Sequence, residues 1–149
     1  EFFNLLFNQV NWSLLLSLFI LFFIGGYLIY ASLFAMVGAA SDSEGDTQQL
    51  IFPVLIPLIF VLLLAGFFLF NPGGQAEMWF SQIPFSSPMI MLQRVAAGTV
   101  SLWEVLVAIG ILIITFILLT KMAAKVYRVG ILMYGKKASW REIMRWMKQ

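Results

Sequence analysis

The densest group of reactive side chains in this chain is a set of three carboxylates at alternate positions, Asp42, Glu44 and Asp46, within Ser41–Gln49, SDSEGDTQQ. A calcium loop opens with such alternation but needs Gly at its sixth position and a closing Glu at its twelfth. Those places hold Thr47 and Pro53, so metal binding is not expected. The stretch reads as a solvated turn, with a partner contact as its functional alternative. The chain has no Cys and no His, which removes thiolate chemistry, disulfides, the usual zinc and haem ligation and the His general base. No GxxxxGK[ST] occurs, so ATP cannot be hydrolysed here by that route. No catalytic residue, metal or cofactor is expected.

Two isolated charges come next. Arg94 is the one basic residue outside the C-terminal tail, and it should snorkel to phosphate or pair locally. Glu104 follows Ser101 at the S-x-x-E spacing of a capping box, a reading preferred to ion coordination because a carboxylate at a helix mouth avoids the cost of one at mid-bilayer. The other basic residues, Lys121, Lys125, Arg128, Lys136, Lys137, Arg141, Arg145 and Lys148, all follow the last apolar run. Such a tail fits a lipid or partner surface better than nucleic acid. Lys and Arg accumulate on the cytoplasmic side of a crossing, which places the C-terminus inside.

The elements that carry these groups are membrane spans. With 62% hydrophobic and 11% charged residues and a mean hydropathy of +0.96, the chain is an integral membrane protein of the all-α class. About 20 apolar residues cross a bilayer core, and apolar runs of that length lie at about 13–40, 50–70 and 102–120, the last uncharged from Val105 to Leu119. Residues 1–11 approach the membrane, with Trp12 at headgroup level. The first span exceeds the core thickness, so it should tilt, break at Gly25-Gly26 or emerge into water. Ala31, Ala35 and Ala39 form a small-xxx-small series that would let another helix approach. Pro53 and Pro57 predict a kink or irregular start in the second span, packed against other helices.

Residues 71–100 fall outside. Asn71-Pro72-Gly73-Gly74 is a turn, and Met78, Trp79 and Phe80 suit an interface. Ser87 as N-cap and Pro88 at the first helical position predict a short helix through Ala97, closed by Gly98. It is too short to cross, so it must lie on the surface or dip in and return. In the tail, 121–149, Gly130 and Gly135 should break the helix, and Ser139 with Glu142 repeats the capping-box spacing. A final cytoplasmic amphipathic helix sets Trp140, Ile143, Met144 and Met147 against Arg141, Arg145 and Lys148. Its apolar side should bury into the headgroup boundary.

In this order the parts resemble the C-terminal half of bacterial ABC exporter permeases of the sodium-extruding type. The likeness is carried by the outer PFSSPMIMLQR, with Pro84-Phe85-Ser86-Ser87-Pro88, and by AAKVYRVGILMYGKK, with Tyr127–Lys137. The resemblance implies a multi-pass permease in the cell membrane, a six-span subunit of which the last three are present. It also implies a homodimer or pseudo-dimer, a separate cytoplasmic ATPase, and export of sodium ions or small amphiphiles. The chain then reads as part of a longer protein. Within that picture Asp42, Glu44 and Asp46 are candidates for ATPase contact, Ser87, Pro88 and Arg94 for an outer gate, and Trp140, Arg141, Arg145 and Lys148 for seating the tail at the membrane. The competing reading is a non-transporting scaffold or lipid-sensing protein whose tail recruits a partner.

Overall fold

The computed structural model describes residues 1–132 and 140–148. The expected break at Gly135 and the Ser139–Glu142 capping box lie outside the described residues. Within them the chain is helical throughout: α1 (Phe2–Gln9), α2 (Trp12–Ala40), α3 (Glu44–Phe70), α4 (Gln75–Gln82), α5 (Ser87–Ala97), α6 (Leu102–Leu132) and α7 (Trp140–Met147). Three of these, α2, α3 and α6, are long and apolar enough to cross a membrane.

α2 and α6 form the central pair. Phe22, Ile29, Met36, Val37 and Ala40 of α2 pack with Val105, Ala108, Leu112, Leu119 and Val126 of α6, each set at helical spacing of three and four or its multiples. The pair runs parallel, with Gly25 beside Leu112 at the middle of α2 and Ala39 beside Gly130 near its end. These glycines correct two expectations. Gly25-Gly26 does not break α2, which runs unbroken for 29 residues, about 43 Å and so longer than the hydrocarbon core. Gly130 does not end α6, which continues to Leu132. A Cβ on Gly25 would collide with the Leu112 side chain, and one on Gly130 with the Ala39 carbonyl oxygen. The glycines are sites of close helix approach. Of the small-residue series, only Ala39 lies at such an approach; Ala31 is half-buried and Ala35 exposed.

The link between α2 and α3 is shorter than the turn over residues 41–49 read from the sequence. Ser43 is the N-cap of α3, accepting from the Asp46 amide at 3.3 Å, so Glu44 and Asp46 form its first turn. Carboxylates there complement the positive end of the helix dipole. α3 carries Pro53 and Pro57 inside one continuous helix. Both prolines are exposed, although Leu50 and Val54 on the same stripe of the helix are buried, so the chain itself covers only part of that stripe.

α7 packs against α6, with Ile143 and Trp146 buried in the same cluster as Val126, Ala40 and Leu50. This corrects the expected apolar side. Met144 is 52% exposed while Trp146, on the protein-facing side, is buried, so the amphipathic face is covered by the bundle and not by lipid alone. Arg141, Arg145 and Lys148 remain exposed on the opposite side.

Candidate functional site

The polar and irregular features concentrate at the end of the bundle that carries residues 71–101. There α4 and α5 form an antiparallel helical hairpin that dips between the long helices and returns. Three of its residues mark its position. The Phe80 ring lies between those of Phe60 and Phe68, 6.4 and 6.1 Å away, ten and two residues short of the end of α3. Pro88 abuts Gly26, and the Phe85 carbonyl accepts from the Tyr30 hydroxyl at 3.2 Å, both beside the middle of α2.

Irregular backbone survives at such depth only where its polar groups are satisfied. The Pro84–Pro88 turn satisfies them locally. The Ile83 carbonyl accepts from the amides of Ser86 and Ser87, at 3.1 and 2.7 Å, and the Ser86 carbonyl from those of Met89 and Ile90. The Ser86 hydroxyl donates back to the Phe80 carbonyl at the end of α4. The expected cap is thereby corrected by one residue. Ser86, not Ser87, precedes α5; Ser87 and Pro88 occupy its first turn, and neither serine caps it by side chain. The buried α4 carbonyl takes the hydroxyl that would have capped α5. Because the amides at the start of α5 are already engaged, this helix N-terminus does not offer an anion site. Gly98, at φ 70°, ends α5 in the left-handed conformation that Gly adopts without strain.

At the mouth of the hairpin Arg94, 6% exposed, gathers three elements. Its Nη1 donates to Ser81 Oγ of α4 at 2.8 Å, and its Nη2 to the Thr99 carbonyl at 3.4 Å and to Glu104 Oε2 of α6 at 3.2 Å. The capping box also forms. Glu104 Oε2 accepts from the Ser101 amide at 3.2 Å, and Ser101 Oγ from the Glu104 amide at 3.5 Å. The same carboxylate therefore caps α6 and pairs with Arg94. Glu77, also buried, accepts from the Gly73 amide at 2.6 Å and closes the turn into α4.

Beside the hairpin lies a groove of about 780 Å³ walled by α2, α3 and α5, almost entirely apolar; Phe19, Phe23, Tyr27, Val61, Leu92 and Gln93 typify its lining. That size and character suit a small-molecule site. Pro88 lines it, while Ser87 is buried at the hairpin tip with its hydroxyl unpartnered. Among the described residues, no group of three or more Asp, Glu, His or Cys could hold a metal ion.

The sequence-derived candidates thus fall at two ends. Ser87, Pro88 and Arg94 share α5, tip to mouth. Asp42, Glu44 and Asp46, and separately Trp140, Arg141, Arg145 and Lys148, sit at the opposite end, where Ala40, Leu50, Ile143 and Trp146 share one cluster. Sequence reasoning missed Tyr30, Glu77, Ser81, Gln82 and Gln93. Their partners lie four to fifty-five residues away, and nothing local marks them apart from the PFSSP turn that Tyr30 meets.

Residues 2–125 match the sequence profile described as ABC-2 family transporter protein. The uncharacterized protein YhaP of Bacillus subtilis is 34% identical over 124 residues, covering 83% of this chain and 30% of that protein. The uncharacterized protein MJ1024 of Methanocaldococcus jannaschii is 25% identical over 137 residues, 91% of this chain and 34% of its own. The chain thus spans about a third of the length of these relatives. No solved structure is a significant match. With a family match running from α1 into α6 and three helices long and apolar enough to cross a membrane, the chain belongs to the ABC-2 family of transporter proteins.

Proposed function

We propose that this chain works as part of a membrane-spanning permease subunit of an ATP-driven ABC exporter, and that its cargo is an apolar or amphipathic small molecule. The observation that carries the reading is the apolar groove walled on one side by the re-entrant hairpin. An amphiphile would enter such a groove without losing favourable surroundings, whereas a sodium ion needs oxygen ligands in place of water. In this arrangement the 71–101 end faces outward and the C-terminus is cytoplasmic, in keeping with the basic residues that follow the last span. The start of α3, with Asp42, Glu44 and Asp46, takes part in docking a separate cytoplasmic ATPase. The exposed Arg141, Arg145 and Lys148 hold α7 near anionic headgroups, each adding about 1 kcal/mol of attraction. A second permease copy, or a pseudo-symmetric partner, completes the pathway. The uncovered side of α3, with Phe52, Ile56, Leu63 and Phe67, offers it a face.

The test is reconstitution of the full-length protein with the P-loop protein that co-purifies with it. A series of alkyl amphiphiles should stimulate ATP hydrolysis and be moved across the vesicle membrane, while sodium should do neither. Sodium-dependent hydrolysis without response to any amphiphile would overturn the cargo assignment. Absence of any co-purifying ATPase would favour the scaffold alternative.

A further inference from the structure

The hairpin is held by two unlike surfaces. Toward α6 it is tied by polar bonds. The Arg94 guanidinium reaches Ser81 of α4, the Thr99 carbonyl and Glu104 of α6. The Gln82 side-chain amide donates to the Glu104 carbonyl at 3.2 Å, and Glu104 is itself fixed by the Ser101 amide. Toward α2 and α3 it meets mostly apolar groups: Pro88 on Gly26, and Ile90 with Ala65 and Phe68. A single hydrogen bond joins it to each of these helices, Phe85 to Tyr30 and Gln93 to Ala65. In a membrane these surfaces differ in kind. Apolar faces that part are covered by lipid tails as apolar as themselves, whereas parting the Arg94 side chain, 8% exposed, from that of Glu104, 27% exposed, leaves a largely buried guanidinium without its counter-charge.

From this asymmetry we infer that Arg94 is a positioning residue: it seats α4 and α5 on the first turn of α6, so that the hairpin and the α6 mouth move as one part and the seam that opens lies along α2 and α3, at the groove. The seam gives Gly26 and the groove their place in the working cycle. It rests on the transport reading only for what the opening accomplishes; the seating itself is a property of the resting protein.

The seating is read by cross-linking. A Cβ built on Gly26 lies 3.0 Å from that of Pro88, near disulfide range. In the full-length protein in native membranes, Gly26→Cys with Pro88→Cys should form a disulfide under mild oxidant. On that background Arg94→Gln or Glu104→Gln should lower the yield about fivefold, because the charge left on the other residue loses its partner. Arg94→Lys, which keeps a charge opposite Glu104 and leaves the Ser101 cap in place, should hold the yield within about twofold of the parent. Unchanged yields in Arg94→Gln and Glu104→Gln overturn the inference. So does a yield in Arg94→Lys as low as that in Arg94→Gln. Where Arg94→Gln does not accumulate, Glu104→Gln decides: a lowered yield supports the seating, and an unchanged one overturns it. In reconstituted vesicles the disulfide should stop cargo movement and reductant should restore it. If the yields follow the charge pair but transport ignores the cross-link, the seating stands and the transport reading fails.

Discussion

Ser86 gives its hydroxyl hydrogen to the carbonyl of Phe80 across the turn of the hairpin. Its neighbour Ser87, equally buried, has a hydroxyl with no partner. Adjacent serines therefore predict opposite outcomes. Ser86→Ala strands a buried carbonyl and should cost about 1–3 kcal/mol. Ser87→Ala removes an unpaired hydroxyl and should be neutral or stabilising. Thermal melting of the purified full-length protein compares the two directly.

The glycines of the α2–α6 pair yield a second contrast. Gly130→Ala pushes a methyl against the Ala39 carbonyl and should destabilise by about 1–3 kcal/mol through overpacking. Gly66, in α3 with open space around it, should accept Ala with a gain of up to about 1 kcal/mol from helix propensity. Denaturation in mixed detergent should rank Gly66→Ala above wild type and Gly130→Ala below it.

Sidedness is tested by single cysteines at Gln75 and Lys148, both exposed and at opposite ends of the bundle. In intact cells an impermeant thiol reagent should label position 75 and spare position 148. The reverse pattern would invert the arrangement.

At the cytoplasmic end of the proposed arrangement, Trp146→Ala should cost about 3–5 kcal/mol, since it empties a site filled against the bundle. Met144→Glu, half exposed, should leave stability near wild type and weaken association with anionic vesicles. Equal losses from the two substitutions would mean that the helix face had been assigned wrongly.

Neutralising Asp42, Glu44 and Asp46 together should weaken ATPase association in the full-length complex. Part of any stability change would come from the start of α3, where each acidic residue is worth about 0.3–1 kcal/mol against the helix dipole. Pull-down of the ATPase at equal protein amounts separates the two effects. Unchanged association and unchanged coupled transport would leave this segment as a helix start and nothing more.

Much of this architecture could be read from the sequence where the signal is local. The three apolar runs predicted the three long helices, and the Ser101–Glu104 spacing predicted a cap that forms between residues three apart. The misreadings arise where a residue's role depends on what faces it. Gly130 looks like a helix breaker until Ala39 is placed beside it. The α7 pattern announces an apolar face but cannot say whether lipid or protein covers it, and its burial at Trp146 depends on Val126 and Ala40. Ser86 and Ser87 compete for one cap, and a carbonyl six residues upstream settles the register. Arg94 was expected to snorkel to phosphate or pair locally, yet two of its partners, Ser81 and Glu104, lie on other helices and meet it only once the hairpin has folded back.

The hairpin also constrains how the protein can be made. Neither α4 nor α5 is long enough to span a bilayer, and Arg94 and Glu77 make the pair too polar to enter hydrocarbon alone. Glu104, which answers the Arg94 charge, emerges from the ribosome after the hairpin, together with the α6 segment that carries it. The hairpin can therefore find its counter-charge only after α6 has been made. A chain stopped before α6 would hold Arg94 and Ser81 together but leave the guanidinium without Glu104.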